Sequence, residues 1–364
     1  MMKSNILKDF IRESFTPPTK WKHNENKTVT IHDNKRIVFF DLAKGICIIL
    51  VVLIHIDNHT NNSLYNIPNF SALRMPLYFV LSGIFFKAYE TKIFFIKKIN
   101  NIVVPLIFWL AISDLMRMCY SHFSVDLAIV KFIKDPLCRY IDCNPVLWFL
   151  ICLFITNIVF YYIHSICKNN KQICLSILFL ALIGYLLFKY YIKLPLWIDS
   201  ALIALPFFFL GYCCKDMTYL KPEYSNKKSL LIGVTFIVLS YAIYYTFNQS
   251  TMIISANFFQ GSPIAAYLNG IFIVLGVLLL CKVINWLPIV SYFGRYSIIV
   301  LCVHKPLLTL RFVKVWFGHE ITIWEFTAII LIACWLAIPI CKKVLPYFVA
   351  QKPLFKVELM KVNK

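Results

Sequence analysis

The sequence lacks the short motifs that identify many soluble enzymes. It contains no GxSxG nucleophile elbow, no HExxH helix and no Walker phosphate loop, so none of these catalytic or phosphate-binding signatures supports a function. Acidic residues are scarce, with 17 Asp and Glu against 37 Lys and Arg. Charged residues of both signs make up only 15% of the chain. Such a composition does not describe an ordinary soluble domain.

Metal-binding patterns are also missing. The chain has 13 cysteines, but no Cys-x-x-Cys pair and no His/Cys cluster has the spacing of a zinc site. Most of the cysteines lie within apolar runs, which is typical of free buried thiols. Cys138 and Cys143 share one long loop and would pair only if that loop faced an oxidising compartment. No metal is therefore expected.

Long apolar runs are what the sequence has in abundance. Hydrophobic residues make up 60% of its 364 residues, and its mean hydropathy is +0.72. These values predict an all-α polytopic membrane protein with about ten transmembrane helices, each needing roughly 20 apolar residues. The predicted spans are 36–57, 70–87, 99–116, 145–165, 172–188, 196–214, 229–247, 264–281, 288–310 and 321–341.

The distribution of Lys and Arg predicts the orientation of these spans. One set of alternate segments carries 25 of these residues and the opposite set carries eight, so the positive-inside rule places both termini in the cytoplasm. The net charge of +20 would suggest nucleic acid in a soluble protein, but here it sets orientation, and no nucleic-acid partner is expected. The predicted location is the cytoplasmic membrane, in contact with lipid.

Three regions follow from this reading. Residues 1–35 form a polar cytoplasmic tail without the apolar core of a secretory signal. Within the tail, residues 3–15 are either an amphipathic helix on the membrane or a solvated segment. Residues 36–345 form the transmembrane domain, and residues 346–364 form a basic cytoplasmic tail.

The first span carries ionisable residues inside its apolar run. Asp41 and Lys44 lie in the half predicted to be cytoplasmic, and His55 lies near the far end. Lys44 and His55 are eleven positions apart, close to three helical turns, so both point to one face about 16 Å apart along the axis. Lys44 alone could snorkel to the interface, and His55 alone could be an interfacial residue. Their combination favours a polar channel, because ionisable groups at this depth are usually functional.

Two stretches of this region resemble a known family. They are Asp-Leu-Ala-Lys-Gly-Ile followed by an apolar run to His55, and Arg-Met-Pro-Leu-Tyr-Phe-Val-Leu-Ser-Gly beginning at Arg74. Both resemble integral-membrane acyltransferase family 3, and most closely its fucose 4-O-acetylase-related branch. The family signature of a basic residue, ten intervening residues and a His is matched by Lys44 and His55. The resemblance extends to Gly-Arg-Tyr-Ser before His304, and departs from the family at Ile54.

The resemblance implies transfer of an acyl group, most often acetyl, from cytoplasmic acyl-CoA to a hydroxyl of a cell-surface glycan or lipid-linked sugar. Acetyl-CoA is then a co-substrate. His55 is the candidate general base, because a neutral imidazole accepts a proton near working pH. The candidates for binding the donor or substrate are Lys44, Asp41, Arg74, Lys98, Arg295 and His304.

Several of these residues have a second interpretation. Arg74 either holds a carboxylate, phosphate or carbonyl group, or pairs with Asp57. Lys98 stands with Asn101 where the family often has two arginines, and its basic segment is either a phosphate cradle or a topology signal. His304 is either a satisfied core residue or a reacting group.

On the acceptor side the candidates are Trp148 and Asp57. Trp148 is an interfacial anchor or a platform for a sugar ring. Asp199 lies in a span without an assignable partner.

Another class of function remains open. A transporter or exporter of a glycan precursor or small anion would also have charges within the membrane. Such proteins commonly show internal repeats and paired broken helices, and the two halves of this sequence show no clear similarity to each other. A purely structural membrane protein would not need Lys44.

Overall fold

A computed structural model describes residues 2–18, 37–60, 69–121, 125–215, 217, 220–221, 224–309 and 323–356. The described part is helical apart from one short hairpin. Its helices are α1 Met2–Phe15, α2 Val38–Thr60, α3 Phe70–Ile84, α4 Thr91–Lys98, α5 Val104–Ser121, α6 Val125–Leu137, α7 Trp148–Ile166, α8 Asn170–Lys189, α9 Ile198–Cys214, α10 Asn226–Thr246, α11 Pro263–Ile284, α12 Val290–Arg295, α13 Ser297–Thr309 and α14 Ile323–Val344. The strands are β1 Thr251–Ile253 and β2 Phe258–Gln260, paired antiparallel.

The prediction of an all-α polytopic membrane protein is confirmed. Within the described ranges, eight helical segments are long and apolar enough to cross a bilayer, and two shorter apolar helices correspond to the second and ninth predicted spans. The helices α8 and α10 expose rows of large apolar side chains, among them Leu178, Leu182, Leu231 and Val238. In a membrane protein such rows are the surfaces that contact lipid hydrocarbon.

Two predicted spans differ from the structure in their boundaries. The third begins earlier, because α4 continues into α5 through a π-helix at Ile99–Val103, making one segment of 29 residues from Thr91 to Cys119. The ninth is divided into α12 and α13 at Tyr296, whose φ of −116° and ψ of 29° are not helical. A π-helix and a broken span are both common where a helix must place side chains into a site.

Helix α2 lies at the centre of the fold, in contact with α3, α11, α12, α13 and α14. Its closest neighbour is α12, and glycines allow that approach. A Cβ atom at Gly294 would lie 1.7 Å from the carbonyl oxygen of Asp41, and one at Gly45 would lie 1.9 Å from that of Val290. The two backbones therefore touch directly, which fixes the position of the α13 helix that follows.

Both terminal segments pack on the bundle. The helix α1 inserts Phe10 against Tyr292 and Trp335, with ring centroids 6.0 and 4.5 Å away. At the other end of the chain, Asn100 in the π-helix exchanges two hydrogen bonds of 2.8 Å with the backbone of Phe355. The described parts of both terminal segments therefore pack against the helices of the bundle.

Candidate active site

A cavity with a volume of about 360 Å³ opens beside Lys44. Its walls come from α2, α3, α7, α13 and the π-helix region, and most are apolar. The polar residues that line it are Lys44, Tyr78, Ser82, Lys98, Asn101, Asn157 and Ser297. A mostly apolar cleft of this size with a few polar groups has the character of a small-molecule site.

The two lysines predicted to bind the donor lie in this one cavity. Lys44 is half-buried, and its Nζ atom lies 4.8 Å from the ring centroid of Phe85. Lys98 is also half-buried and lies over the Phe94 ring at 5.5 Å. Among the lining residues Phe85 and Asn101 are exposed, so the cavity opens between them. Its mouth therefore carries positive charge.

Tyr78 joins three of the helices around the cavity. Its hydroxyl lies 3.4 Å from the backbone carbonyl oxygen of Lys44 and also hydrogen-bonds with the Ser297 side chain. The phenol therefore links α2, α3 and α13 at the buried end of the cavity. Sequence analysis did not identify Tyr78 or Ser297, although both lie inside the stretches that carry the family resemblance.

The two imidazoles lie together beyond the cavity. The rings of His55 on α2 and His304 on α13 have centroids 5.4 Å apart and are tilted by 39°. His304 is fully buried, while His55 is half-buried. Because α13 also supplies Ser297 and Leu301 to the cavity, this helix borders both the cavity and the imidazole pair. Sequence analysis named both histidines, but it did not place them side by side.

Two basic residues, Arg74 on α3 and Lys305 on α13, lie in the region of the imidazole pair. Arg74 and Lys305 both act electrostatically on the His55 ring. The Arg74 carbonyl oxygen accepts a 2.6 Å hydrogen bond from the Cys47 thiol. This bond links α3 to α2 at a position between Lys44 and His55. Lys305 was missed at the sequence level, although it directly follows His304 in an apolar run. Positive charges at this position can stabilise a negative charge that develops on a reacting carbonyl oxygen.

Two other predicted donor residues lie elsewhere. Asp41 and Arg295 line a separate, much smaller cavity that also includes Glu13 and Tyr292. They do not line the cavity that contains Lys44, although Asp41 is only one helical turn from Lys44. The reason is that α12 crosses α2 at Asp41, so this side of the helix is covered by backbone.

The small cavity borders a polar contact that fastens α1 to the bundle. Glu13 accepts hydrogen bonds from Lys342 at 2.5 Å and from the Tyr296 hydroxyl at 2.6 Å. Burial alone would raise the pKa of Glu13. The hydrogen bonds from Lys342 and Tyr296, with the charges of Lys342 and Arg295, nevertheless lower that pKa below its usual value.

Of the two acceptor-side candidates, Trp148 does not line the cavity. Trp148 begins α7, is half-buried, and packs beside Phe149 with ring centroids 6.2 Å apart. It is Phe149, not Trp148, that lines the cavity. Asp57 belongs to α2, but its side chain lies outside the described residues, so its pairing with Arg74 stays a prediction.

Asp199, for which the sequence assigns no partner, forms an ion pair in the structure. Its carboxylate pairs with Arg139, which also donates to the carbonyl oxygen of Ser255 at 3.0 Å. Asp199 is fully buried, so the ion pair through its Oδ1 atom offsets part of the cost of burying the charge, although its Oδ2 atom makes no hydrogen bond. The nearby cysteines Cys138 and Cys143 are free thiols. Among the described residues, no three His, Cys, Asp or Glu side chains form a group that could hold a metal ion.

Comparison with known proteins gives two similarities. A family model described as an acyltransferase domain matches residues 37–342, which include the cavity and the imidazole pair. The nodulation protein NolL of Sinorhizobium fredii is 30% identical over 131 residues, covering 32% of this chain and 34% of NolL. Most of NolL therefore has no counterpart in that alignment. No solved structure is significantly similar to the chain.

Proposed function

The chain belongs to the acyltransferase 3 family, and we propose that it is an O-acetyltransferase that uses acetyl-CoA to acetylate a hydroxyl of a cell-surface glycan or lipid-linked sugar. The observation that carries the proposal is the arrangement along α2 and α13. A basic cavity lies at one end, and an imidazole pair with neighbouring basic residues, one ring fully buried and the other half-buried, lies at the other. These are the two parts that acyl transfer between a charged donor and a neutral hydroxyl requires.

The cavity suits the donor in both size and charge. A volume of about 360 Å³ is at the lower end of the range for small-molecule sites and suits the narrow pantetheine arm better than a whole CoA molecule. The nucleotide part would then remain at the mouth, where Lys44 and Lys98 are available to its phosphates. The neighbouring side chains of Lys87 and Lys92 are exposed and add to the positive potential.

The imidazole end suits the chemical step. His55 takes the proton from the acceptor hydroxyl while the hydroxyl oxygen forms a bond to the acyl carbon. The carbon–sulfur bond then breaks, and the imidazolium returns the proton to the departing thiolate of CoA. Arg74 and Lys305 stabilise the negative charge that develops on the carbonyl oxygen in between.

Lys44 and His55 lie about 16 Å apart along α2, so the acyl group must pass from the Lys44 end of the cavity to the imidazole pair. The polar side chains of α3 and α13 mark a route, since Arg74 is one turn from Tyr78 and His304 is two turns from Ser297. Either the pantetheine arm extends along this route, or the acyl group passes through an intermediate carrier. Incubation with radiolabelled acetyl-CoA in the absence of acceptor distinguishes these routes, because only a relay on the protein leaves label on the denatured chain.

Purified protein in lipid nanodiscs tests the function. Acetyl-CoA should be consumed, with release of free CoA thiol, and consumption should rise when a hydroxyl-bearing glycan acceptor is added. Sugar analysis of surface glycans from cells with and without the protein should then identify the acetylated hydroxyl. Absence of donor turnover with every acceptor, together with transport of a sugar into vesicles, would favour a transporter instead.

The predicted orientation has its own test. With both termini in the cytoplasm, the donor cavity faces the cytoplasm and the imidazole pair lies toward the outer face. Reporter fusions at Asn61 and Lys227 should then report opposite sides of the membrane. Reports from the same side would contradict the predicted topology without affecting the assignment of the donor cavity.

A further inference from the structure

In the fully buried imidazole of His304, the protonation of one ring nitrogen is fixed by a nearby carbonyl group. Its Nδ1 atom lies 2.8 Å from the backbone carbonyl oxygen of Val300, one turn earlier in α13. A carbonyl oxygen can only accept a hydrogen bond, so Nδ1 carries the hydrogen. In a neutral imidazole the other nitrogen, Nε2, is then an acceptor with an available lone pair.

That lone pair has no partner in the structure. The Nε2 atom of His304 is buried and makes no hydrogen bond, which is unusual because buried polar atoms in proteins are nearly always satisfied. Leaving a buried acceptor without a hydrogen bond is energetically unfavourable. Its position next to the His55 ring is therefore an observation that needs a chemical explanation.

We propose that His304 is a positioning residue for His55 and that its Nε2 atom accepts a hydrogen bond from a ring N–H of His55. The 5.4 Å centroid separation is short enough for facing ring nitrogens to approach to the usual hydrogen-bond distance of about 3 Å. A modest rotation of the half-buried His55 ring completes the contact. Catalytic hydrogen bonds commonly tighten in this way when substrate binds.

The contact decides which nitrogen of His55 reacts. A neutral imidazole has a single N–H, and if that group is directed to His304, the lone pair on the opposite nitrogen is presented to the acceptor hydroxyl. After proton transfer, the N–H to His304 remains in place and the new N–H is available to protonate the leaving thiolate. His304 thus acts as an orienting group for a general base, in the arrangement of nucleophile, base and third group known from other transferases and hydrolases.

The surrounding structure holds His304 rigidly enough for this role. The Asn144 side chain donates a 2.9 Å hydrogen bond to the carbonyl oxygen of Cys302, which anchors α13 two residues before His304. At the other end of α13, the crossing of Gly294 with α2 fixes where the helix begins. A side chain without freedom of its own can define the orientation of its neighbour.

The inference deepens the proposed function and rests on His55 being its general base. The first test compares three variants in nanodiscs with acetyl-CoA and a glycan acceptor. His304→Ala removes the acceptor atom, and kcat should fall about a hundredfold, as expected for loss of alignment, with KM for acetyl-CoA unchanged. His304→Gln keeps an acceptor oxygen at the ε position and should retain activity within about tenfold of the native protein.

His304→Asn is the matched control, because its amide ends at the δ position and cannot reach His55. It should be as slow as His304→Ala. Binding of a non-hydrolysable acetyl-CoA analogue, measured by calorimetry, verifies that each variant is folded. Equal activity of the Gln and Asn variants, whether high or low, would overturn the proposal, because it assigns the effect to the ε acceptor alone.

A double-variant comparison separates this inference from the proposed function. If His304 acts through His55, then His304→Ala should cause no additional loss in a His55→Ala background. A further loss of the same size in both backgrounds would show an independent role for His304 and overturn the proposal. Full activity of His55→Ala would instead overturn the assignment of the general base, which is a failure of the proposed function itself.

Discussion

The two ends of helix α2 differ in the surroundings of their polar side chains. At the Lys44 end the helix borders a cavity of about 360 Å³ that opens between exposed residues. At the His55 end it borders the fully buried imidazole of His304, whose Nδ1 atom lies 2.8 Å from the Val300 carbonyl oxygen of its own helix. The first end has room for a narrow chain such as a pantetheine arm, with lysines at its mouth, and the second has an imidazole that can orient its neighbour. This difference supports our proposal that donor binding and chemistry are separated along one helix, and four predictions test that separation.

The largest expected effect is at the imidazole end. His55→Ala should lower acetyl transfer by about 10²–10⁴-fold, which is the usual contribution of a general base, while leaving acetyl-CoA affinity unchanged. His55→Gln should be equally inactive, because an amide cannot take up the proton. Single-turnover transfer and calorimetric donor binding are the two measurements. A parallel loss of donor binding would show that the two ends are not separate.

The second prediction concerns α12, which packs against α2. Because α2 borders both the cavity and the imidazole pair, a change in this packing should affect donor binding and transfer together. Gly294→Ala places a methyl group against the carbonyl oxygen of Asp41 and should destabilise the protein by about 1–3 kcal/mol, the usual cost of overpacking. Thermal unfolding in detergent measures this loss, and donor KM and kcat should both change. Gly233→Ala is the control, since its nearest neighbour would be 3.2 Å away, and it should change stability much less.

The sequence predicted the helices well because membrane solvation imposes long apolar runs that need no knowledge of packing. Lys44 and His55 could likewise be placed on one face from helical geometry alone. The meeting of His55 with His304 could not be predicted, because it joins residues far apart in the chain through the crossing of α2 and α13. Their contact depends on where α12 ends and α13 begins, and nothing in the apolar run of residues 288–310 marks the break at Tyr296.

Two other features of the structure could not be predicted for the same reason. Asp41 was grouped with Lys44 because they are one turn apart, but the crossing of Gly294 over Asp41 separates their surroundings. Asp199 was left unpaired because its partner, Arg139, lies in a loop and not in another span. Local spacing describes one helix at a time, whereas these sites are formed by neighbours that local spacing does not identify.

A smaller effect is expected at the Lys44 end. Lys44→Ala should weaken the binding of a non-transferable acetyl-CoA analogue by about tenfold, which corresponds to about 1.4 kcal/mol, while leaving the rate of transfer at saturating donor nearly unchanged. Lys98→Ala should act in the same direction. The control is Lys87→Ala, an exposed lysine that does not line the cavity. Its effect should be small and should vanish at high salt, where exposed charges are screened. Unchanged affinity in Lys44→Ala would remove this residue from the donor site.

The smallest effect concerns the docking of α1 through Glu13. The pKa of this carboxyl is lowered in the folded protein by Lys342 and Tyr296 despite its burial. Its stabilising contribution is therefore present above the unfolded pKa, near 4.5, and is lost as the pH falls through the folded value. We expect α1 to detach more readily below about pH 4.5 and Glu13→Gln to remove about 1 kcal/mol of docking energy at neutral pH.

Hydrogen exchange of the α1 backbone amides between pH 7 and pH 4, corrected for the intrinsic pH dependence of exchange, measures this docking. Asp9→Asn is the matched control, because Asp9 pairs only with the exposed Arg12 of the same helix at 2.8 Å and should leave docking unchanged. Glu13 contacts Tyr296, which directly precedes the cavity residue Ser297. The imidazole of His304 lies two turns further along α13. Glu13→Gln should therefore change acetyl-CoA affinity slightly and single-turnover transfer not at all. A change in transfer with unchanged affinity would mean that α1 acts on the imidazole end, and the division of α2 into a binding end and a chemical end would then be wrong.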